Sequence, residues 1–322
     1  MASGIAADAA PAVPYAWRNV AVGGGGFAPG IVFSTVERDL AYLRTDMGGA
    51  YRWDSRAGRW IPLEDGIAEG SYMGIESVAA DPRDANVVYL AAGVGARARA
   101  AILRSADRGA HWAITPVPFA MGGNEDGRGL GERLAIDPFD TASLWFGSRH
   151  DGLWHSDDRG AHWRKVARFP LGGLGAPTTR RATHGGLSFV LFDPARAGRI
   201  FVASADPGAQ HLFHSDDGGA HWQAVAGGPE PGLLPVKAVI GSDGVLTITY
   251  SDAIGPNGIT LQSTHVQIQA GTEAIINAGG QTKINGSGSL TLNGKTTQIN
   301  PDGLGDGAFG ASINFGPPAG EG

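Results

Sequence analysis

Ser156-Asp-Asp-Arg-Gly-Ala-His-Trp163 fits the pattern S-x-D-x-G-x-x-W, the Asp-box, and it does not stand alone. Ser105-Ala-Asp-Arg-Gly-Ala-His-Trp112 and Ser215-Asp-Asp-Gly-Gly-Ala-His-Trp222 repeat it in full. Arg44-Thr-Asp-Met-Gly-Gly-Ala-Tyr51 keeps its spacing, with arginine for serine and tyrosine for tryptophan. Each part has a separate physical task. The aspartate accepts hydrogen bonds from the backbone of its own turn, the glycine takes a backbone angle other residues resist, and the indole packs the turn against a neighbouring strand. The pattern therefore predicts a self-bracing hairpin turn. Ahead of each full copy stands a second recurring unit: Val78-Ala-Ala-Asp-Pro82 with Val87-Val-Tyr-Leu-Ala-Ala92, Leu134-Ala-Ile-Asp-Pro138 with Leu144-Trp-Phe-Gly147, and Val190-Leu-Phe-Asp-Pro194 with Ile200-Phe-Val-Ala203. The order is strand, Asp-Pro turn, strand, strand, Asp-box, strand. A four-stranded unit repeating at roughly 50 to 60 residues is a β-propeller blade. A generic β-sandwich has no reason to repeat turn chemistry in register.

Counted outward from the boxes, blade one runs from about Gly30 to Leu63, blade two from Tyr72 to Pro118, blade three from Leu130 to Pro170 and blade four from Gly185 to Ala226. A fifth unit starts at Val236-Lys-Ala-Val-Ile240, turns at Ser242-Asp-Gly244 and continues through Val245-Leu-Thr-Ile-Thr-Tyr250 without an Asp-box. Trp17 to Val22 reads as a strand of the kind that closes a propeller ring from its other end. After Gly258 the composition changes: tryptophan and tyrosine vanish, and Thr/Ile/Leu/Asn/Gln alternations separated by glycine take over. The expected fold class is all-β, an incomplete β-propeller with Asp-box repeats, four blades plus a fragment, followed by a short β-solenoid-like or disordered tail. The expected domains are an N-terminal arm over 1–16, a partial propeller over 17–258, a β-repeat tail over 259–301 and a disordered Gly/Pro-rich end over 302–322. An unclosed ring leaves a strand edge and apolar blade faces uncovered, so self-association through that edge, or through a trimerising tail, is expected.

Composition narrows the function classes. The net charge of −6 is mild and the Lys and Arg residues are scattered, so a nucleic-acid partner is not expected. The absence of cysteine excludes disulfides, thiol chemistry and cysteine-based zinc sites. His111, His162 and His221 fall at one box position each time and no pair has ligand spacing, so no metal or cofactor is expected. No apolar run approaches a membrane span, and no membrane partner is expected. Met1 to Pro14 lacks a basic start and a sustained hydrophobic stretch, and reads as a flexible arm rather than an intact signal peptide.

Several unrelated motifs occur in one order: Trp17-Arg-Asn-Val20, Gly23-Gly-Gly-Gly-Phe-Ala-Pro-Gly30, Arg44-Thr-Asp-Met-Gly-Gly-Ala-Tyr-Arg-Trp53, Trp60-Ile-Pro-Leu63, Tyr72-Met-Gly-Ile-Glu-Ser77, Ala101-Ile-Leu-Arg-Ser105 and Gly122-Gly-Asn-Glu-Asp-Gly-Arg128. In this order they resemble the N-terminal half of glycoside hydrolase family 74, the xyloglucan-active endo-β-1,4-glucanases, up to about Gly258. The resemblance implies two propellers facing each other across a cleft that holds a plant-type β-glucan, extracellular action, and hydrolysis with inversion by one aspartate from each propeller. Inversion needs a base to activate water on one face of the sugar and an acid to protonate the leaving oxygen on the other. By motif match Asp46 takes the base's place; the plainer alternative is another turn-bracing aspartate. The family's acid lies in the second propeller, and the nearest internal echo of its motif, Glu132-Arg-Leu-Ala-Ile-Asp-Pro-Phe139, has Arg133 where the acid would stand. Arginine does not donate a proton near neutral pH, so weak or no activity is expected of this chain alone.

Around that centre, Asn124, Arg128 and Arg133 are candidates for hydrogen bonds to sugar hydroxyls, and Tyr51, Trp53, Trp60 and Tyr72 for stacking on pyranose rings. Asp65, Glu76, Asp126 and Glu132 lie near the matched motifs and are expected to be structural or sugar-binding. The tail, in phrases such as Gly286-Ser-Gly-Ser-Leu-Thr-Leu-Asn-Gly294, resembles the β-needle repeats of valine-glycine-repeat spikes of type VI secretion and of phage tail spikes. The alternative to a hydrolase is thus a non-catalytic glucan-binding or adhesive propeller on a spike-like tail.

Overall fold

A computed structural model describes residues 22–172, 186–206, 211–225, 234–240, 246–251 and 260–261. The readings made above for the N-terminal arm, the closing strand before residue 22 and the tail from residue 262 onward fall outside those residues. The first sheet comprises β1 (Gly30–Phe33), β2 (Ala41–Arg44), β3 (Ala50–Asp54) and β4 (Arg59–Pro62), and the second β5 (Ile75–Ala80), β6 (Val88–Ala92), β7 (Ala101–Ser105) and β8 (Ala113–Pro116). The third holds β9 (Leu134–Ile136), β10 (Leu144–Ser148), β11 (Gly152–Ser156) and β12 (Arg164–Lys165). The fourth holds β13 (Leu187–Phe192), β14 (Ile200–Ser204), β15 (Leu212–Ser215) and β16 (Gln223–Ala224). A three-stranded fifth sheet holds β17 (Leu234–Ile240), β18 (Leu246–Ser251) and β19 (Thr260–Leu261). Within every sheet the strands pair antiparallel in chain order, and the first strands of successive sheets lie side by side. These are the blades of an open propeller, as the repeat predicts. The fifth sheet reaches past Gly258, since Thr260 and Leu261 pair with Tyr250 and Thr249.

The core is a series of layers between blades, and β6 shows why the sequence makes it so. All five of its residues are buried, because it is covered on both faces. Val88, Leu90 and Ala92 pack with Leu40, Tyr42 and Ala50 of the first sheet. Tyr89 and Ala91 point the other way, to Leu134, Leu144 and Phe146 of the third. In β10 the same alternation sends Leu144 and Phe146 back toward the second sheet and Trp145 on toward Ile200 and Val202 of the fourth. A continuous apolar run with a period of two is thus the signature of a strand shared by two layers. Among the described residues the outer face of the first sheet lacks this cover. On β1, Val32 packs inward while Ile31 and Phe33 are exposed, Phe33 to 71%.

The Asp-boxes form the connections between third and fourth strands. In the second sheet Ser105 Oγ donates to Asp107 Oδ1 at 2.8 Å and accepts from Gly109 N at 2.7 Å, while Asp107 Oδ1 accepts from His111 N at 2.9 Å. Gly109 sits at φ +88°. The other two full boxes repeat these bonds, and in all three the histidine Nδ1 lies 2.6 Å from the aspartate Oδ2. The recurring histidine therefore braces its own turn. That bond, with the backbone amide of the same histidine, holds Asp107 and Asp158 at about 2. Each tryptophan packs toward the preceding sheet: Trp112 Nε1 donates to Leu63 O at 2.9 Å, and Trp163 lies edge-on to Phe119 at 5.5 Å. Trp163→Ala is expected to cost about 2–3 kcal/mol, which denaturant unfolding of the variant beside the wild type measures.

The first box-like stretch is a correction. Arg44 to Tyr51 connects β2 to β3, not a third strand to a fourth. The equivalent of a box in the first sheet is Asp54 to Trp60, where Asp54 Oδ1 accepts from Arg56 N and Ala57 N at 3.0 Å. In an antiparallel meander the second-to-third and fourth-to-next-first connections share one face, and the remaining turns share the other. Asp46 accordingly lies on the face opposite the Asp-boxes.

Candidate active site

The loop that carries Asp46 is tied at its neck. Thr45 N and Oγ1 both donate to Gly49 O, at 3.0 and 2.8 Å, and Thr45 Oγ1 accepts from Gly48 N at 2.8 Å. Gly49 sits at φ +75° with Glu64 Oε2 2.6 Å from where a Cβ would stand, so only glycine fits. Asp46 is 6% exposed. Its Oδ1 accepts from Phe27 N at 2.7 Å, and its own N donates to Phe27 O at 3.1 Å. Its Oδ2 lies 3.1 Å from Arg128 Nε, an ion pair without hydrogen-bond alignment, and the Arg128 guanidinium stands 5.5 Å over the Phe27 ring. The glycine run before Phe27 makes this approach possible: Gly26 sits at φ +102° with Asp46 Oδ1 2.8 Å from its would-be Cβ.

The neighbouring loops complete a platform. Gly93 N donates to Gly74 O and Gly123 N to Gly93 O, both at 2.8 Å, which sets the loops after β6 and β8 against the one before β5. Exposed Asn124 follows, on the same face as Asp46 and Arg128, and exposed Met47 and Phe27 add apolar surface. Among the described residues no cluster of three or more His, Asp or Glu side chains could hold a metal ion. No described helix is long and apolar enough to cross a membrane.

In overlapping sequence, the chain is 46% identical over 271 residues to a xyloglucanase of Acetivibrio thermocellus, covering 78% of this chain and 32% of that one. A xyloglucanase of Hypocrea jecorina is 39% identical over 80% of this chain and 33% of its own. The solved family 74 xyloglucanase of Xanthomonas campestris superposes with a TM-score of 0.67 at 45% identity, over 76% of this chain and 37% of that one. The propeller belongs to glycoside hydrolase family 74. No family model matches the chain. The chain spans about a third of the length of the curated relatives it matches.

Within the family 74 propeller the expected site residues divide. Asp46, Arg128 and Asn124 share one face. Trp53 and Trp60 pair directly across β3 and β4, rings 5.3 Å apart, at the end of the sheet away from the Asp46 loop. Tyr51 and Tyr72 are buried, Tyr72 in the layer between the first two sheets, so neither presents a ring for stacking. Arg133 is 0% exposed and meets no open surface. Glu76 and Glu132 are structural: Glu132 accepts from Arg44 Nε at 2.9 Å, Ser77 Oγ at 2.8 Å and Val78 N at 2.8 Å. Asp65 and Asp126 are exposed. Neither residue type nor spacing marks Phe27 in the sequence; the four glycines before it are the available signal.

Glu64, behind the loop, is buried and accepts from Ala50 N at 2.5 Å, while its Oε1 has no partner among the described residues. Burial pushes its carboxyl up to about 8, against the Ala50 hydrogen bond. A carboxyl raised in the folded state binds more protons folded than unfolded between its ordinary range and about 8, so stability falls as pH rises through that window. Glu64→Gln is expected to remove this slope and to stabilise the fold at pH 8, read from thermal unfolding between pH 5 and 9.

Proposed function

We propose that this chain engages a β-1,4-glucan carrying xyloglucan-type branches on the face that holds Asp46, and that Asp46 is the general base of an inverting hydrolysis. The observation that carries this is the Asp46 carboxylate itself, fixed by Phe27 N and paired with Arg128 on the face away from the structural boxes. Arg128 and Asn124 hydrogen-bond sugar hydroxyls beside it. The acid comes from a second propeller facing this one, and the polysaccharide is met outside the cell. Reducing-sugar release from xyloglucan, wild type against Asp46→Asn, tests the role; equal release would remove Asp46 from the mechanism.

A second reading, a glucan-binding propeller without hydrolysis, rests on arginine instead of an acid at position 133, where the acid motif echoes. Retardation in xyloglucan gels without sugar release would select it. The exposed Ile31 and Phe33 on β1 leave the first sheet with an apolar outer face, so the chain self-associates through that edge. Size exclusion of Ile31→Ser/Phe33→Ser is expected to show smaller species than the wild type; identical elution would count against this edge.

A further inference from the structure

Arg133 is wholly buried, and its Nη1 and Nη2 meet no hydrogen-bond acceptor among the described residues. Its Nε lies 2.7 Å from Glu76 Oε1 but out of alignment. That same oxygen accepts from Arg149 Nε at 2.9 Å, and Glu76 Oε2 accepts from Gly122 N at 2.5 Å. Arg149 gives Nη1 to the Asp126 carbonyl, yet its Nη2 is again without an acceptor. One carboxylate is thus shared by two buried guanidiniums, and among the described residues four of their nitrogens, Arg133 Nε, Nη1 and Nη2 and Arg149 Nη2, have no hydrogen-bond acceptor.

No neighbouring carboxylate among the described residues accepts a hydrogen bond from these unpaired nitrogens, and Asp206 attracts Arg133 only through space. Glu132 is committed to Arg44, Ser77 and Val78. Glu125 accepts from Ala96 N at 2.7 Å and faces His150 Nε2 at 3.2 Å, and Asp206 accepts from Gly186 N at 2.9 Å. Arg44, with its own carboxylate and the carbonyls of Arg128 and Leu130, is satisfied. Lys237, on the first strand of the fifth sheet, adds a further cation and donates to Pro29 O at 3.1 Å. On β13, which lies beside β9, Ser188 is buried with its hydroxyl unpartnered. Burial lowers Arg133 to about 9, with Arg149 adding to the fall and Glu76 opposing it.

The geometry points to a small-anion site beside the first strands of the blades, where a monovalent anion of halide size is held by Arg133 Nη1 and Nη2 and Arg149 Nη2. A buried charge is tolerated when it is paired and hydrogen-bonded; water would satisfy the donors but not the charge. The complete burial of Arg133 favours a halide over a polyatomic oxyanion.

The test is thermal unfolding of the full chain while chloride replaces gluconate at constant ionic strength, with bromide and sulfate as further arms. A saturable rise in Tm of about 5 °C is expected once chloride exceeds its dissociation constant a hundredfold, with bromide alike and sulfate without effect. Arg133→Met should abolish the dependence. If that variant fails to fold, wild-type crystals grown in bromide decide: an anomalous peak beside the Arg133 Nη atoms supports the site. Density for water alone there, bromide only at other positions as an adventitious ion, or one Tm in all salts would overturn it.

Discussion

Where an acid-bearing second propeller completes the cleft, Asp46→Asn is expected to lower reducing-sugar release from xyloglucan by about 10²–10⁴-fold, the usual span for a general acid–base group, while retardation in xyloglucan gels stays unchanged. The substitution is close to isosteric. Its amide oxygen still accepts from Phe27 N, which in the wild type holds Oδ1 at 2.7 Å, so the loop keeps its anchor. What is lost is the negative charge facing Arg128 and, in the proposed role, the ability to take a proton from water. Arg128→Met separates those two losses. It removes the cation 3.1 Å from Oδ2 but leaves the carboxylate, so a small effect there beside a large one at Asp46 assigns the chemistry to the proton acceptor. Equal and large effects would make Asp46 a partner that orders Arg128 instead of a base.

The misread register of this same loop shows what local patterns convey. The three full boxes were legible because all their bonds close within a few residues, from Ser105 to Asp107 and Gly109 and from Asp107 to His111. Arg44 to Tyr51 keeps the aspartate and glycine at the same spacing, with arginine and tyrosine in place of serine and tryptophan, but follows a second strand. The signal that separates the two cases lies downstream: Tyr51 is followed by another hairpin, Asp54 to Trp60, whereas each box tryptophan leads into a final short strand. The buried Arg44 was beyond such reading. Its partner Glu132 lies 88 positions away, and Arg149 is 73 positions from Glu76. Those pairs exist because the fold brings the end of β2 in the first sheet to the start of the third, and the end of β10 to β5, a relation no single repeat encodes. Burial of Tyr51, Tyr72 and Arg133 follows from the same ring, since a blade's residues are covered by its neighbours and not by its own sheet.

Glu76→Gln is expected to cost about 3–5 kcal/mol, because removing one member of a buried ionic cluster leaves the others uncompensated. Burial by itself would push Glu76 up, but Arg149 and then Arg133 hold it below the ordinary carboxylate range. A carboxyl lowered on folding contributes stability that is present above its unfolded pKa and lost as pH falls through its folded one. The wild type should therefore keep this contribution at neutral pH and lose it only in acid, where the variant and the wild type converge. Glu64, equally buried but without a cation beside it, shifts the opposite way, so glutamine at position 64 should stabilise where glutamine at position 76 destabilises. The double change Glu76→Gln/Arg133→Met removes the orphaned cation together with its partner and should recover part of the loss. Denaturant unfolding at pH 7 reads all three; a double variant no more stable than Glu76→Gln alone would show that the guanidinium, left without its carboxylate, is not what makes that substitution costly.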